Sequence, residues 1–423
     1  MKRRSILTIF RLLSNGLVYL ATLVVAGFML RRWLFLLAAW SPSTKTFEVG
    51  KPSEVCKTLE VLPTVLLLVP FRNETAVLPT LLTYLDQLRY PAQQLTTLLI
   101  DDGSSDGSPQ LAQAWVAQQP RRHLLRLPRT VGKAAALNAA LAQFAQGELV
   151  AVLDADERPF PTTLLHLATH FANPRLGAIN GRRAVGNPLA SIFASVSAIE
   201  NMVHQLVTMQ SKERLGLAPA LLGSNCVYRR QALADVGGFQ PGALLEDSEI
   251  TVRLALAGWQ TRFCSQAVSV HDVAQTLGGY WRQHQRWSSG FGSVVRQQAA
   301  AILARRQLPW RLRLELLAFS AGYADRAAWL LLGLWLGGKT AVLRRPPLPF
   351  LIILFTSLIT PLFQAMVALR RAQAPAALWR RLWLLPCLLP LDMAIGLAGL
   401  LQKTVSWEAR EQHEYLNDEM LVR

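Results

Sequence analysis

The chain has 423 residues, a length that accommodates two or three domains. Lys and Arg exceed Asp and Glu by 17, yet only 17% of the residues are charged and 51% are hydrophobic. This apolarity excludes a disordered chain, and the low total charge excludes a solvated nucleic-acid-binding protein, so we expect no nucleic-acid partner. The combination is typical of a membrane protein whose arginines mark the edges of the bilayer.

The N-terminal segment predicts a membrane anchor, which we place at residues 1–45. Residues 12–30 carry no charge and match the roughly 20 residues that a helix needs to cross ~30 Å of hydrocarbon. The basic start of the chain also fits a cleaved signal peptide, but the apolar stretch is too long for one and has no clear cleavage site. A single helix and a tight hairpin that uses Trp33–Trp40 both fit the pattern.

Residues 60–300 predict a soluble α/β domain, because apolar runs typical of strands alternate with stretches typical of helices. The predicted strands are 64–69, 97–100 and 149–153, and the predicted helices are 76–88, 111–118 and 134–144. This βαβαβ order predicts a mostly parallel sheet flanked by helices. Ligands of such sheets bind at the carboxyl ends of the strands.

Residues 301–405 predict an interfacial helix and about three transmembrane helices, followed by a tail over 406–423. The interfacial segment is 314–324, and the apolar segments are 327–343, 347–369 and 382–401. The loop between the last two apolar segments holds four arginines, Arg370, Arg371, Arg380 and Arg381. The positive-inside rule places this loop, and with it the central domain, in the cytoplasm.

Acidic pairs follow two of the predicted strands. Asp101 and Asp102 begin DDGSSDG, where neighbouring carboxylates can accept hydrogen bonds from a base and from ribose hydroxyls; an ordinary turn and helix cap is the alternative. Asp154 and Asp156 form a DAD motif, whose spacing lets both carboxylates hold a hard divalent cation. The DAD motif also fits a capping loop.

Two further motifs place charges at helix starts. Lys133 in GKAAALN adds positive charge to a helix N terminus, where anions are already favoured; a solvated lysine is the alternative. Glu246 and Asp247 begin another helical run. Asp247 can act as a general base toward an attacking hydroxyl, and simple pairing with the helix dipole is the alternative.

The segment QHQRW, residues 283–287, combines polar and aromatic side chains. On a helix, Gln283, Arg286 and Trp287 share one face. An amide, a guanidinium and an indole on one face can bind a diphosphate and stack on a sugar ring. An interfacial helix with Trp and Arg at the headgroup level is the other interpretation.

In their order along the chain, these motifs resemble those of the membrane-bound family 2 glycosyltransferases, the group of cellulose, chitin, hyaluronan and poly-N-acetylglucosamine synthases. The matching elements are VPFRNE (69–74), DDGSSDG (101–107), GKAAALN (132–138), DAD (154–156), GSN (223–225), ED (246–247) and QHQRW (283–287). The resemblance implies a GT-A domain with flanking transmembrane helices. It also implies a UDP-sugar donor, Mg²⁺ or Mn²⁺ as cofactor, and inversion at the anomeric carbon.

The resemblance assigns a role to each matching residue. Asp247 is the catalytic base with Glu246 beside it, and Asp156 and Asp154 hold the metal. The residues implied in binding the nucleotide donor are Pro70, Glu74, Asp101, Asp102, Lys133 and Asp154. Those implied in binding the acceptor and the diphosphate are Gly223, Ser224, Gln283, Arg286 and Trp287.

The chain departs from the family pattern in two places. Where the family often has an acidic-x-Pro element, it reads VHDV, so His271 is either an extra metal ligand or a packed side chain. The small set of C-terminal spans argues against a long polymer channel within one chain. A homo-oligomer or an accessory export subunit would supply one.

The expected function is transfer of a sugar from a UDP-sugar to a growing polysaccharide. The expected location is the cell inner (plasma) membrane, multi-pass, with the catalytic domain in the cytoplasm. The expected partners are the UDP-sugar, a glycan or lipid acceptor, and the lipid bilayer. Transfer of one sugar to a lipid and a non-catalytic nucleotide-sensing subunit are the alternatives, and the intact Asp102, Asp156, Asp247 and Arg286 disfavour the second.

Overall fold

The computed structural model describes residues 2–40, 62–343 and 348–401, so the predicted tail at 406–423 lies outside the described residues. An eight-stranded sheet in the order β3-β2-β1-β4-β7-β6-β8-β5 forms the centre of the molecule. Its strands are β1 (Val65–Phe71), β2 (Leu95–Asp101), β3 (Arg122–Arg126), β4 (Leu149–Val152), β5 (Arg158–Pro159), β6 (Leu176–Val185), β7 (Cys226–Arg229) and β8 (Gln260–His271).

The two halves of the sheet differ in strand direction. Strands β3, β2, β1 and β4 are all parallel; the βαβαβ pattern predicted β1, β2 and β4, whereas β3 was not predicted. In the other half β7 runs antiparallel to both of its neighbours, β6 and β8 are parallel, and β5 is antiparallel to β8. The prediction of a mostly parallel sheet therefore describes only the first half, and the sheet as a whole is mixed.

Helices cover both faces of the sheet and continue beyond it. They are α1 (Lys2–Trp40), α2 (Leu78–Asp86), α3 (Ser108–Val116), α4 (Lys133–Gln143), α5 (Thr163–Thr169), α6 (Ile192–Met202), α7 (Gln210–Arg214), α8 (Arg230–Asp235), α9 (Glu246–Leu256), α10 (Leu277–Ala304), α11 (Trp310–Ser320), α12 (Ala324–Leu343), α13 (Leu348–Arg371), α14 (Ala376–Trp379) and α15 (Leu384–Leu401). A π-helical stretch, Val203–Met209, joins α6 to α7.

The sheet buries both of its faces. Along β1, Val65 and Leu67 pack with α2, α3 and α5 on one face, whereas Leu66 and Leu68 pack with α4, α8 and α9 on the other. This two-sided burial explains why β1 is a continuous apolar run, since strands covered on both faces have no polar side to alternate with.

Helix α1 is one continuous helix with two environments. Its middle third packs on α12, with Val25 and Met29 beside Leu332 and Ala328. Its last turns pack on the π-helical stretch and α13, and the hydroxyl of Ser211 donates to the carbonyl of Phe35 at 2.7 Å. The tight hairpin considered from the sequence is wrong, because Trp33–Trp40 continues the helix and docks on the central domain.

Two of the described helical segments are long and apolar enough to cross a membrane, Gly16–Trp40 and Leu384–Leu401. The predicted apolar segments 327–343 and 347–369 fall in α12 and α13. The predicted interfacial segment 314–324 overlaps α11, which begins and ends four residues earlier. That the chain crosses a bilayer with about three C-terminal helices stays a prediction.

A buried carboxylate joins α1 to the helices that follow the sheet. Glu315 on α11 accepts two hydrogen bonds of 2.7 Å from the guanidinium of Arg31, and Lys212 Nζ lies 2.8 Å from it. Lys212 and Glu315 are 2% and 6% exposed, so neither cation nor carboxylate can be solvated instead. Burial opposes ionisation of Glu315, but Lys212 and Arg31 lower its pKa to about 2.

We expect Glu315→Gln to destabilise the protein by roughly 3–5 kcal/mol, because it leaves Lys212 and Arg31 buried without their counter-charge. The midpoint of thermal unfolding in detergent micelles, followed by circular dichroism, measures the loss. Asp235→Asn is the matched control, since this exposed carboxylate accepts hydrogen bonds from two neutral groups, Gln231 and Trp259, and its loss should cost about 0.5 kcal/mol or less. Equal midpoints for the two variants would contradict the expectation.

Candidate active site

The carboxyl ends of β1, β2 and β4 lie at one edge of the sheet because these strands are parallel and adjacent. Asp101 ends β2 and accepts a 2.8 Å hydrogen bond from the amide of Ser104. The carboxylate of Asp102 accepts hydrogen bonds from the amides of Val131 (2.7 Å) and Gly132 (2.9 Å). Asp102 therefore fixes the loop before α4, and this loop positions Lys133.

Lys133 is the first residue of α4, and its ammonium group connects several parts of the site. Nζ lies 2.6 Å from Asp154 Oδ1, 2.8 Å from the carbonyl oxygen of Gly223 and 3.4 Å from Glu246 Oε1. Burial alone would lower the pKa of Lys133, but Asp154 and Glu246 raise it to about 12. The lysine is therefore a fixed positive charge that joins β4, the 223–225 loop and α9.

Three carboxylates form an acidic trio after β4. Asp154, Asp156 and Glu157 each offer an oxygen, and these oxygens lie within 4.8 Å of one another. Oε2 of Glu157 is buried and accepts no hydrogen bond from the described residues. An oxygen-only ligand set with a buried unused acceptor suits a hard divalent cation such as Mg²⁺ or Mn²⁺.

Two members of this region, Glu157 and Arg183, were not predicted from the sequence. Glu157 is fully buried directly after the DAD motif, and its carboxylate accepts a hydrogen bond from Nε of Arg183 on β6. Nη2 of Arg183 also lies 3.6 Å from Asp154 Oδ2. Glu157 could have been found from its position beside the motif, but no local pattern marks Arg183, which reaches the trio from a distant strand.

Gly223 allows charged groups to approach the loop closely. Its φ is +72°, and a Cβ at this position would lie 3.2 Å from Asp247 Oδ2, 3.4 Å from Glu246 Oε1 and 3.4 Å from Lys133 Nζ. Any other residue would therefore be strained and would crowd these three side chains. The next side chain, Ser224, is buried, and its hydroxyl oxygen accepts a 2.8 Å hydrogen bond from the backbone amide of Asp154.

Asp247 lies in the first turn of α9. Its carboxylate accepts a 2.6 Å hydrogen bond from the amide of Ser248. Burial and the adjacent Glu246 raise the pKa of Asp247 to about 6, against the opposing charges of Lys133 and Arg286. A carboxyl that titrates near neutral pH is suited to accept a proton from a hydroxyl.

The QHQRW segment lies on α10, which packs against α15. The hydroxyl of Ser288 donates to the carbonyl of Gly396 at 2.6 Å, and a Cβ on Gly399 would lie 2.6 Å from the carbonyl oxygen of Gln285. The helix that carries Gln283, Arg286 and Trp287 is thus held directly against a candidate membrane span.

His284 supports this segment from the inside of the fold. Its ring stacks on Tyr280 with centroids 3.9 Å apart, meets the edge of Trp287 at 4.8 Å, and Nε2 lies 3.1 Å from Glu200. Burial opposes protonation, but Glu200 raises the pKa of His284. No role was predicted for His284 or Glu200 from the sequence, because their pairing joins α10 to α6 across 84 residues.

The remaining predicted residues lie near the same edge. Pro70 pairs with Ile100 next to the end of β1, and the carbonyl of Glu74 accepts hydrogen bonds that start α2. His271 ends β8 and is 9% exposed, and burial together with Arg183 lowers its pKa well below 6.5. Its ring is therefore buried and uncharged close to Asp154 and Arg183.

The structure thus brings one set of predicted residues into direct proximity, namely Lys133, Asp154, Gly223, Glu246 and Asp247. Asp101, Asp102, Pro70 and Glu74 lie on the adjoining strand ends, and Arg286 acts on Asp247 through its charge. Residues of the GKAAALN, DAD, GSN and ED motifs, which are far apart in sequence, thus occupy one region, and Gln283 and Trp287 lie on the same helix as Arg286.

Comparison with known proteins identifies the type of domain. Residues 67–237 match the family model described as Glycosyl transferase family 2. The beta-monoglucosyldiacylglycerol synthase of Trichormus variabilis is 32% identical over 231 residues, which cover 54% of this chain and 49% of that protein. The poly-beta-1,6-N-acetyl-D-glucosamine synthase of Staphylococcus aureus is 26% identical over 240 residues, covering 56% and 57%. The chain spans about half the length of these curated relatives.

A solved structure supports the fold over almost the whole chain. It is the mannosyltransferase PcManGT from Pyrobaculum calidifontis in complex with GDP-Man and Mn²⁺. The TM-score is 0.63 at 20% identity, and the match covers 92% of this chain and 97% of that one. The predicted GT-A fold is confirmed.

The charge of Lys133 should control the ionisation of Asp247. We expect Lys133→Gln to raise the pKa of Asp247 above its value of about 6, because a cation that favours the carboxylate is removed. Infrared titration of the protonated carboxyl band, assigned by its loss in Asp247→Asn, measures the change. Lys133→Arg keeps the charge and is the matched control; the same titration midpoint in the Gln variant as in the native protein would count against the coupling.

Proposed function

We propose that this chain is an inverting glycosyltransferase, starting from the fact that residues 67–237 form a glycosyl transferase family 2 domain. The reaction proposed is transfer of a sugar from a UDP-sugar to a hydroxyl group of an acceptor at the membrane surface. The observation that carries the proposal is the Lys133 bridge, which holds Asp154 of the acidic trio next to Glu246 and Asp247. A proton acceptor and a cation-binding group are thereby adjacent.

Asp247 is the proposed general base. Its carboxylate takes the proton of the acceptor hydroxyl as the oxygen attacks the anomeric carbon from the face opposite the leaving diphosphate, and this geometry inverts the configuration. The pKa of about 6 keeps most of the group ionised at neutral pH while leaving it basic enough to accept a proton. Glu246 contributes by raising that pKa.

The balance of charge supports binding of a cation and an anionic donor. Five carboxylates and three cationic groups meet in this region: Asp154, Asp156, Glu157, Glu246 and Asp247 with Lys133, Arg183 and Arg286. We propose that Asp156 and Asp154 hold Mg²⁺ or Mn²⁺, which when bound offsets the charge of the donor diphosphate. Arg286 and Gln283 bind the diphosphate from α10.

Pro70, Glu74, Asp101 and Asp102 form the proposed nucleotide pocket at the ends of β1 and β2. Asp102 already accepts two amide hydrogen bonds, and a carboxylate has lone pairs for further donors from the base or the ribose. The rigid loop that Asp102 holds is what keeps Lys133 fixed at the other side of the pocket.

The acceptor is proposed to bind between the Gly223–Ser224 loop and Trp287. A growing polysaccharide is the acceptor expected from the sequence. A lipid is the second candidate, and it is supported by the higher identity to a beta-monoglucosyldiacylglycerol synthase, 32% against 26% for the poly-beta-1,6-N-acetyl-D-glucosamine synthase. The packing of α10 on α15, a candidate membrane span, supports an acceptor site near the bilayer.

We also propose the domain order predicted from the sequence. The domain at residues 60–300 lies in the cytoplasm, attached to the plasma membrane by α1 and by the C-terminal helices. The support is the apolar Gly16–Trp40 and Leu384–Leu401 and the arginines of the loop between α13 and α15, which fit the positive-inside rule.

We expect Asp247→Asn to reduce sugar transfer by at least about 10²-fold and to leave UDP binding nearly unchanged, because the amide keeps the shape but cannot accept the proton. Purified protein in detergent is incubated with a panel of UDP-sugars, with GDP-mannose for comparison, and released nucleotide and product size are measured. Product size separates a polymer from a glycolipid.

Asp235→Asn is the control, since Asp235 is exposed and bonded to Gln231 and Trp259 outside the site. Transfer at the native rate by Asp247→Asn would remove the general-base role. If the native protein released nucleotide from none of the sugar donors in the panel, the proposed activity would be overturned.

We expect excess EDTA to stop transfer and Asp156→Asn to weaken Mn²⁺ binding by at least about tenfold, because one carboxylate ligand is lost. Electron paramagnetic resonance of free Mn²⁺ during a titration measures binding without any turnover. Asp235→Asn again serves as control. Unchanged Mn²⁺ affinity in Asp156→Asn, or full activity in EDTA, would refute this assignment.

A further inference from the structure

A cluster of arginines surrounds the turn between α10 and α11. The four residues are Arg305, Arg306, Arg311 and Arg313, and we call residues 303–314 the arginine hairpin. The chain has no acidic residue between Asp272 and Glu315. Within the described part of the chain none of the four arginines forms an ion pair, and Glu315 is already engaged by Arg31 and Lys212. The hairpin is therefore a concentrated positive charge without a local counter-charge.

Large apolar side chains are exposed among these arginines. Leu303, Trp310 and Leu314 are 60%, 63% and 56% exposed. The opposite face of α11 is covered, because Leu316 and Phe319 are buried against α9, α10 and β8. Trp310 and Leu314 are four residues apart and share one face of α11, so this helix has a second apolar face that is largely exposed, with the guanidinium of Arg311 5.7 Å from the centroid of the Trp310 ring.

The position of the hairpin relates it to the bilayer. Glu315 binds Arg31, the first charge after the uncharged stretch 12–30 of α1. Trp310 precedes Glu315 by five residues, about 7.5 Å of helix. The hairpin consequently lies near the level at which α1 would leave the hydrocarbon core.

We propose that the arginine hairpin binds anionic lipid headgroups at the cytoplasmic surface of the membrane. Guanidinium groups bind phosphate through paired hydrogen bonds and long-range attraction, while Leu303, Trp310 and Leu314 enter the boundary between headgroups and acyl chains. The proposal relies on the membrane attachment proposed above but not on sugar transfer. It adds a preference for anionic lipid. Binding of this lipid would hold α11 at the bilayer, and with it α9 and α10, which pack on α11 and carry the site.

The test uses the full chain in vesicles of phosphatidylcholine mixed with phosphatidylglycerol. Two vesicle preparations are compared, one with brominated phosphatidylcholine and one with brominated phosphatidylglycerol. The fluorescence of Trp310 is obtained by subtracting the fluorescence of the Trp310→Phe variant from that of the native protein. We expect stronger quenching by brominated phosphatidylglycerol. Changing all four arginines to Gln should lower this preference by at least about fivefold, the loss expected for even one arginine at an anionic surface.

Two further variants keep the test informative. The double variant Arg305→Gln with Arg306→Gln changes only exposed side chains in the turn, and it should also reduce the preference for phosphatidylglycerol. It therefore still tests the proposal if the variant with all four arginines changed folds poorly. Arg121→Gln with Arg175→Gln removes two exposed arginines of the central domain and should leave it unchanged.

Equal quenching by the two brominated lipids, or a preference that survives the loss of the arginines, would overturn the proposal. No quenching by either lipid would also overturn it and would indicate that another occupant, such as an acidic protein, covers this face. Flotation of the protein with the vesicles reports membrane attachment separately, and nucleotide release reports sugar transfer, so failure here is distinguishable from failure of the proposed function.

Discussion

The ammonium group of Lys133 is the interaction on which the arrangement of the site depends. It lies within 3.4 Å of oxygen atoms from β4, the 223–225 loop and α9, three segments that come from opposite halves of the mixed sheet. Without a fixed cation between them, Asp154 and Glu246 would repel each other in a partly buried setting. The loop held by Asp102 positions this lysine, so hydrogen bonds and ion pairs connect the proposed nucleotide pocket to the helix that carries the proposed base.

A second set of buried charges relates the central domain to the helices around it. Arg31 of α1 pairs with Glu315 on α11, and Arg32 pairs with Asp325 in the first turn of α12. Helix α12 then packs along α1. Buried pairs of this kind gain little net stability over apolar packing, but each leaves an uncompensated charge if the helices shift. They therefore favour one position of α1 and α12 relative to the domain. Since α10 is packed between this region and α15, the same contacts fix the helix that carries Arg286.

Both sets of ion pairs include charged residues in the first turns of helices. Glu246 and Asp247 start α9, Lys133 starts α4, and Asp325 lies in the first turn of α12. Helix starts expose unpaired amide groups, so acidic residues are favoured there and a lysine is not, unless carboxylates from elsewhere surround it. Lys133 has such partners in Asp154 and Glu246. A residue that is locally unfavourable and satisfied by distant partners is characteristic of a functional site.

The amino-acid sequence was sufficient for the parallel strands β1, β2 and β4 and for the motifs of the candidate site, because apolar strand runs and short acidic or glycine-rich motifs are local signals. It was not sufficient for β6, β7 and β8, whose directions are set by pairing between distant segments, or for the continuous α1, because Trp33–Trp40 looks the same in a hairpin and in a docked helix. Arg183, Glu200 and His284 became recognisable only in three dimensions, whereas Glu157 directly follows the DAD motif. Their roles arise from contacts with other strands and helices rather than from neighbours in the chain, because the fold brings distant residues together.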